Sequence, residues 1–110
     1  MLRTREQERN ICKSCPLART ANLIGDTFTL LIVRDLLNSP KRFGELEHSL
    51  TGISTRTLTL KLKMLVENGL IERHEEKHSK PPKVEYSLTK KGRDLTPIAK
   101  ALIAYGEKHL

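Results

Sequence analysis

The stretch from Thr51 to Pro82 leaves the chain few ways to fold. Thr51-Gly52 is a tight turn, and Ser54 after it is a helix cap, because its short side chain can accept from the first unpaired N–H groups. Beyond Ser54, Leu58, Leu62, Leu65 and Val66 recur at helical spacing and share one apolar face. That helix runs to Asn68 and ends at Gly69, a residue that tolerates the left-handed conformation of a helix end. Leu70-Ile71-Glu72-Arg73-His74 then reads as a strand, and Glu76 to Pro82 as a polar, Lys-rich loop. Val84-Glu85-Tyr86-Ser87-Leu88 alternates apolar and polar, the pattern of a half-buried strand. A short helix over about 44–50 precedes the turn, with Glu45 in its first turn, where the helix dipole favours an anion. Two helices joined by a Gly-containing turn form a helix-turn-helix. The hairpin with a basic tip directly after them is a wing.

The flanks fit round this unit. Residues 1–14 are polar and are expected to be a flexible N-terminal segment, with one domain over 15–110. Pro16 suits a first helical position, and the helix over 16–24 is expected to stop at a left-handed Gly25. Thr27 is expected to cap a second helix, in which Leu30, Leu31, Val33, Leu36 and Leu37 are apolar around much of the girth. It halts at Asn38-Ser39-Pro40. Lys41-Arg42-Phe43 has room for an edge strand only. Thr89 caps a last helix that Pro97 must kink or restart, because proline breaks the hydrogen-bond ladder. The fold class is mostly α with a small β-hairpin, a winged helix-turn-helix.

Charge supports a nucleic-acid partner. The 110 residues carry 20 Lys and Arg against 13 Asp and Glu, a net +7. Ten basic and five acidic groups fall within residues 54–93, against eight and six before and two and two after. The positive potential therefore lies on the helix-turn-helix and wing, where it attracts polyanions. No run of about 20 apolar residues is present, so no membrane helix is expected. The charged start lacks a signal peptide's apolar core. The cytoplasm is the expected compartment, and the cysteines are expected to be thiols. There is no Gly-rich phosphate loop, nucleophile motif or carboxylate pair beside a histidine, so neither enzyme nor cofactor is expected.

Opposite the apolar face of the 54–68 helix stand Arg56, Thr59, Leu60 and Lys63. A helix of this kind enters the major groove of double-stranded DNA by its N-terminal part. Arg56 can fork onto guanine, Thr59 can donate or accept, and Leu60 can meet a thymine methyl. Ser54, Thr55, Thr57 and Lys61 are placed to touch phosphates. In the wing, Lys77, His78, Lys80 and Lys83 suit backbone or minor-groove contact. The stripe Leu95, Ile98, Leu102, Ile103 exceeds what a thin domain edge covers. With Leu17 and the rim residue Tyr105 it predicts a homodimer that reads half-sites about 34 Å or a multiple apart. A protein-interaction module using the last helix and wing is the rival reading. Cys15 falls at the cap of the first helix, where oriented N–H groups favour a thiolate. It is a candidate sensor of oxidant or a small-molecule effector, together with Cys12, or else a structural thiol. A lone Cys12-x-x-Cys15 pair with scattered histidines predicts no metal site.

Several stretches resemble the HxlR-type winged-helix transcriptional regulators, which are similar in outline to the MarR group. They are Cys15-Pro16-Leu17-Ala18, Arg42-Phe43-Gly44-Glu45-Leu46, Gly52-Ile53-Ser54 and Asn68-Gly69-Leu70-Ile71-Glu72-Arg73, then Pro81-Pro82, Val84-Glu85-Tyr86-Ser87-Leu88-Thr89 and Gly92-Arg93. The resemblance covers about residues 15–107 and implies a prokaryotic dimeric DNA-binding repressor or activator. Some members of that family sense oxidants through a cysteine that matches Cys15. The family usually has Trp where Phe28 stands, Lys at Thr27 and often Gln at Leu60, so its base contacts do not carry over at Leu60.

Overall fold

The computed structural model describes residues 15–110, so the expectations for residues 1–14, Cys12 among them, lie outside the described residues. Pro16 opens α1 (Pro16–Ile24). The helix ends at Gly25 in ordinary right-handed backbone, φ −72°, not the left-handed form expected. Glycine is required there by a close approach instead. A Cβ would run into the Ala21 carbonyl oxygen, and the Gly25 N–H donates to that oxygen at 2.7 Å.

The cap of α2 (Thr27–Asn38) is Asp26 rather than Thr27. Its carboxylate accepts from the Thr29 N–H at 3.0 Å and from the Thr29 hydroxyl at 3.1 Å. Ile32, Val33 and Leu36 of α2 are buried, which places this helix at the centre of the core as expected. β1 (Lys41–Arg42) is a two-residue strand. Phe43 belongs to the helix that follows, α3 (Phe43–Ser49), where the Arg42 N–H donates to Glu45 Oε1 at 2.9 Å. Gly52, at φ +91°, makes the turn that only glycine adopts easily.

Ser54 caps α4 (Thr55–Glu67) as expected, its hydroxyl accepting from the Thr57 N–H at 3.0 Å. Leu58, Leu62 and Leu65 of α4 are at most 1% exposed. Val66 was expected on that same stripe but is 37% exposed, lying at its margin. Burying each such leucine is worth about 1.5–3 kcal/mol, so α4 is held by one face and free on the other. β2 (Ile71–Glu76) and β3 (Lys83–Leu88) form the wing hairpin, paired antiparallel from Ile71↔Leu88 to Glu76↔Lys83. The two-stranded hairpin is present as expected, and the short strand β1 joins it at the edge as a third strand. β1 pairs with β3 through Lys41↔Tyr86 and Arg42↔Glu85, giving the order β1-β3-β2. Only Ile71 of β2 is buried, so the wing projects from the core by its base.

Thr89 caps α5 (Lys90–Arg93), with the Gly92 N–H donating to its hydroxyl at 3.1 Å. The Thr89 hydroxyl in turn donates to the Gly69 carbonyl at 2.6 Å, pinning this turn to the end of α4. Pro97 then restarts the chain as α6 (Thr96–His109), the break expected of it. None of the residues of α6 is buried.

Candidate nucleic-acid interface

The outward face of α4 carries the residues that its inward face leaves free. Arg56, Thr59, Leu60 and Lys63 are exposed there, and Leu60 is 56% exposed although apolar. The hydroxyls of this helix are partly engaged. Thr59 donates to the Thr55 carbonyl at 2.8 Å and Ser54 donates to the Thr57 hydroxyl at 2.9 Å. Thr55 donates to Glu47 Oε2 of α3 at 2.6 Å. Each such oxygen keeps a lone pair with which to accept. Thr57 is half-buried.

Lys61 departs from the expected set. Its ammonium lies 2.6 Å from Asp26 Oδ2 and its side chain is only 22% exposed, so it meets a carboxylate rather than open solvent. That hydrogen bond, with those from Thr29, holds the Asp26 carboxyl below its ordinary value of 3.8 against the opposing effect of burial.

In the wing, Lys77, His78, Lys80 and Lys83 are all exposed. The structure adds Arg42 to them. Pairing of β1 with β3 brings Arg42 into the same shallow groove of about 450 Å³ as Lys80 and Lys83. No local sequence signal could have found this, because it depends on a strand pairing across more than 40 residues. On β2 the charges are mixed. Arg73 pairs with Glu75 at 3.4 Å and His74 approaches Glu72 at 3.2 Å. The positive character of the wing therefore resides at its tip and at the β1 edge.

Away from this surface, Leu17, Ile98, Leu102, Ile103 and Tyr105 are exposed, from 38% at Ile98 to 78% at Leu17. Leu95, expected among them, is half-buried and packs on the domain's own core. Cys15 is the N-cap of α1 and half-buried, its Sγ accepting from the Ala18 N–H at 3.5 Å. Among the described residues no three His, Cys, Asp or Glu side chains gather as a metal site, and no helix is long and apolar enough to cross a membrane.

Comparison with known families bears directly on this arrangement. The HxlR-like helix-turn-helix model matches residues 23–110. The chain belongs to that family. This HxlR-like chain is 38% identical over 96 residues to the HTH-type transcriptional regulator sll1512 of Synechocystis sp., covering 87% of the chain and 70% of that relative. It is 37% identical over 97 residues to the HTH-type regulator YybR of Bacillus subtilis, covering 88% and 77%. A MarR-family transcriptional regulator from Porphyromonas gingivalis W83 superposes with a TM-score of 0.83 at 34% identity, over 89% of this chain and 95% of that one. The redox regulator HypR in its oxidised form superposes at 0.82 and 36% identity, over 87% and 98%. The fold is thus the winged helix of the MarR and HxlR groups, and the chain is an HxlR-like transcriptional regulator with a helix-turn-helix.

Proposed function

We propose that this HxlR-like protein regulates transcription as a homodimer that reads double-stranded DNA. α4 enters the major groove and the tip of the wing lies on the adjacent backbone or minor groove. The observation that carries the reading is the two-faced α4. Leu58, Leu62 and Leu65 are sealed in the core while Arg56, Thr59, Leu60 and Lys63 are exposed. Arg56 and Thr59 read base edges, Leu60 takes a thymine methyl, and Lys63 reaches bases or phosphates from the third turn of the outward face. Lys77, Lys80, Lys83 and Arg42 supply phosphate contacts, each releasing a condensed counterion. α6 supports a second copy as partner. It buries no residue against its own domain, and Ile98, Leu102 and Tyr105 line one face of it at helical spacing.

Selection of duplexes from a random pool, followed by mobility shift across a salt series, tests the reading. A recovered palindromic motif with half-sites about 10 base pairs or a multiple apart, and a steep salt slope, is the expected result. Absence of any shift at low salt would leave only the interaction-module reading.

A second reading is favoured by one specific observation, the position of Cys15 at the N-terminus of α1. Its Sγ accepts from the Ala18 N–H at 3.5 Å, and HypR, at 36% identity, is a redox regulator by name. In this reading oxidation of Cys15 alters DNA affinity. Oxidant should weaken the selected duplex complex of the wild type but not of Cys15→Ser. Equal affinity before and after oxidant, with Cys15 shown by mass spectrometry to be modified, would make it a structural thiol.

A further inference from the structure

The Asp26–Lys61 pair adds a polar link between α2 and α4, two helices that also share the hydrophobic core. Asp26 Oδ2 accepts from the N–H and the hydroxyl of Thr29 and lies 2.6 Å from the Lys61 ammonium. One carboxylate oxygen therefore caps α2 and grips α4 in its second turn. On the helix-turn-helix side, Thr55 of α4 is tied to Glu47 of α3 at 2.6 Å. The N-terminal half of α4, the part that would enter a groove, is thus fastened to α2 and to α3 by separate polar links.

What precedes Asp26 matters as much. The Gly25 N–H closes on Ala21 at 2.7 Å, and a Cβ at Gly25 would collide with the same carbonyl. Only Gly25 separates α1, which carries Cys15 and the exposed Leu17, from the carboxylate that holds Lys61.

We propose that Asp26 is a positioning residue of the DNA-reading surface: through Lys61 it fixes the rotation of α4 about its own axis and couples it to α1. The inference rests on the reading of α4 as the DNA-reading helix. It makes Lys61 a strut rather than a phosphate contact. The Lys61 hydrogen bond holds the Asp26 carboxyl below its ordinary value, so that carboxyl is ionised at neutral pH.

Asp26→Asn, Lys61→Met and the double variant test it. Asparagine caps a helix about as well as aspartate, and methionine keeps the apolar stem of lysine, so each removes the ion pair and little else. The probes are the duplex that wild type selects from a random pool and one fixed random-sequence duplex, with amide hydrogen exchange on the free protein. Each single variant should bind the selected duplex about fivefold more weakly. The double variant should be no weaker than the singles, and the salt slope should not change. Exchange should quicken over residues 55–63 in all three variants while α2 and β2 keep their protection. Lys61→Met lowering the slope by about one unit, with Asp26→Asn binding as tightly as wild type or tighter, would overturn the proposal and return Lys61 to the phosphates. Unchanged exchange over 55–63 would overturn it too. If wild type binds no duplex, the DNA reading fails by itself, and exchange alone decides whether Asp26 holds α4.

Discussion

Replacing Gly92 by alanine puts a methyl group where the fold has no room. A Cβ at this buried position would run into the Leu70 carbonyl oxygen and come within 2.9 Å of Leu88 Cδ2. The Leu side chain can turn aside, but the carbonyl is backbone and is already held, accepting from the Thr89 N–H at 3.0 Å. Relief therefore means lifting α5 off the end of α4. Overpacking of this kind costs about 1–3 kcal/mol. Lifting the turn also strains the Thr89 hydroxyl bond to the Gly69 carbonyl, worth about 0.5–1.5 kcal/mol. A loss of about 2–4 kcal/mol is expected, a large share of the roughly 5–15 kcal/mol that holds a domain together. For a chain of this size it should lower Tm by about 10–20 °C. Circular dichroism melting at one fixed protein concentration measures it, with Gly44→Ala as control. At Gly44 a Cβ meets nothing within 4 Å, so alanine in that helix should be neutral or stabilise by up to about 1 kcal/mol. If Gly92→Ala melts within about 2 °C of wild type, the docking of α5 on Leu70 is not what closes the domain.

Arg56→Ala and Lys80→Ala should part base reading from phosphate contact. The first should cost about 1–3 kcal/mol on the selected duplex and less on random DNA, while the second should weaken both alike and flatten the salt slope by about one unit. Leu102, 50% exposed on α6, tests the dimer. Leu102→Asp places a charge in an apolar contact and should yield a monomer by sedimentation, with little affinity for a two-half-site duplex. Acid should act through Asp26. Its carboxyl is depressed in the folded protein, so the stabilisation it gives is present above its ordinary value of 3.8 and is lost as pH falls below it. The urea midpoints of wild type and Asp26→Asn should differ at about pH 7, and the difference should shrink as pH falls below 3.8.

Most of the architecture was legible because it rests on local chemistry. Ser54, Thr89 and Pro97 each dictate a helix start through groups within four residues of them, and each does so in the fold. The buried face of α4 follows from period alone at Leu58, Leu62 and Leu65. What escaped was settled by contacts distant in sequence, or by competition between equals. Asp26 rather than Thr27 is the cap, and its carboxylate also reaches Lys61, 35 positions on. β1 was too short to announce a partner, and its pairing with β3 added a third strand to the sheet and brought Arg42 beside Lys80 and Lys83. Leu95 shares its period with Ile98 and Leu102, and only the packing of the restarted α6 shows that it turns inward. The exposure of Arg56, Thr59, Leu60 and Lys63 was legible as the complement of the core stripe. The engagement of Lys61 was not, since no helical wheel shows what stands beside it.

The two residues of β1 also set the terms on which this protein could be re-engineered. Sited between α2 and α3, they stitch the start of the helix-turn-helix to the wing strand through Tyr86 and Glu85. A cassette cut at residues 43–67 and moved to another winged helix would leave that seam behind and arrive without its brace. Exchanging only side chains at positions 55, 56, 59, 60 and 63 leaves both the seam and the leucines beneath α4 untouched. Recoding by substitution is therefore open to this scaffold, whereas recoding by transplant has to carry β1, α3, α4 and the whole wing as one piece.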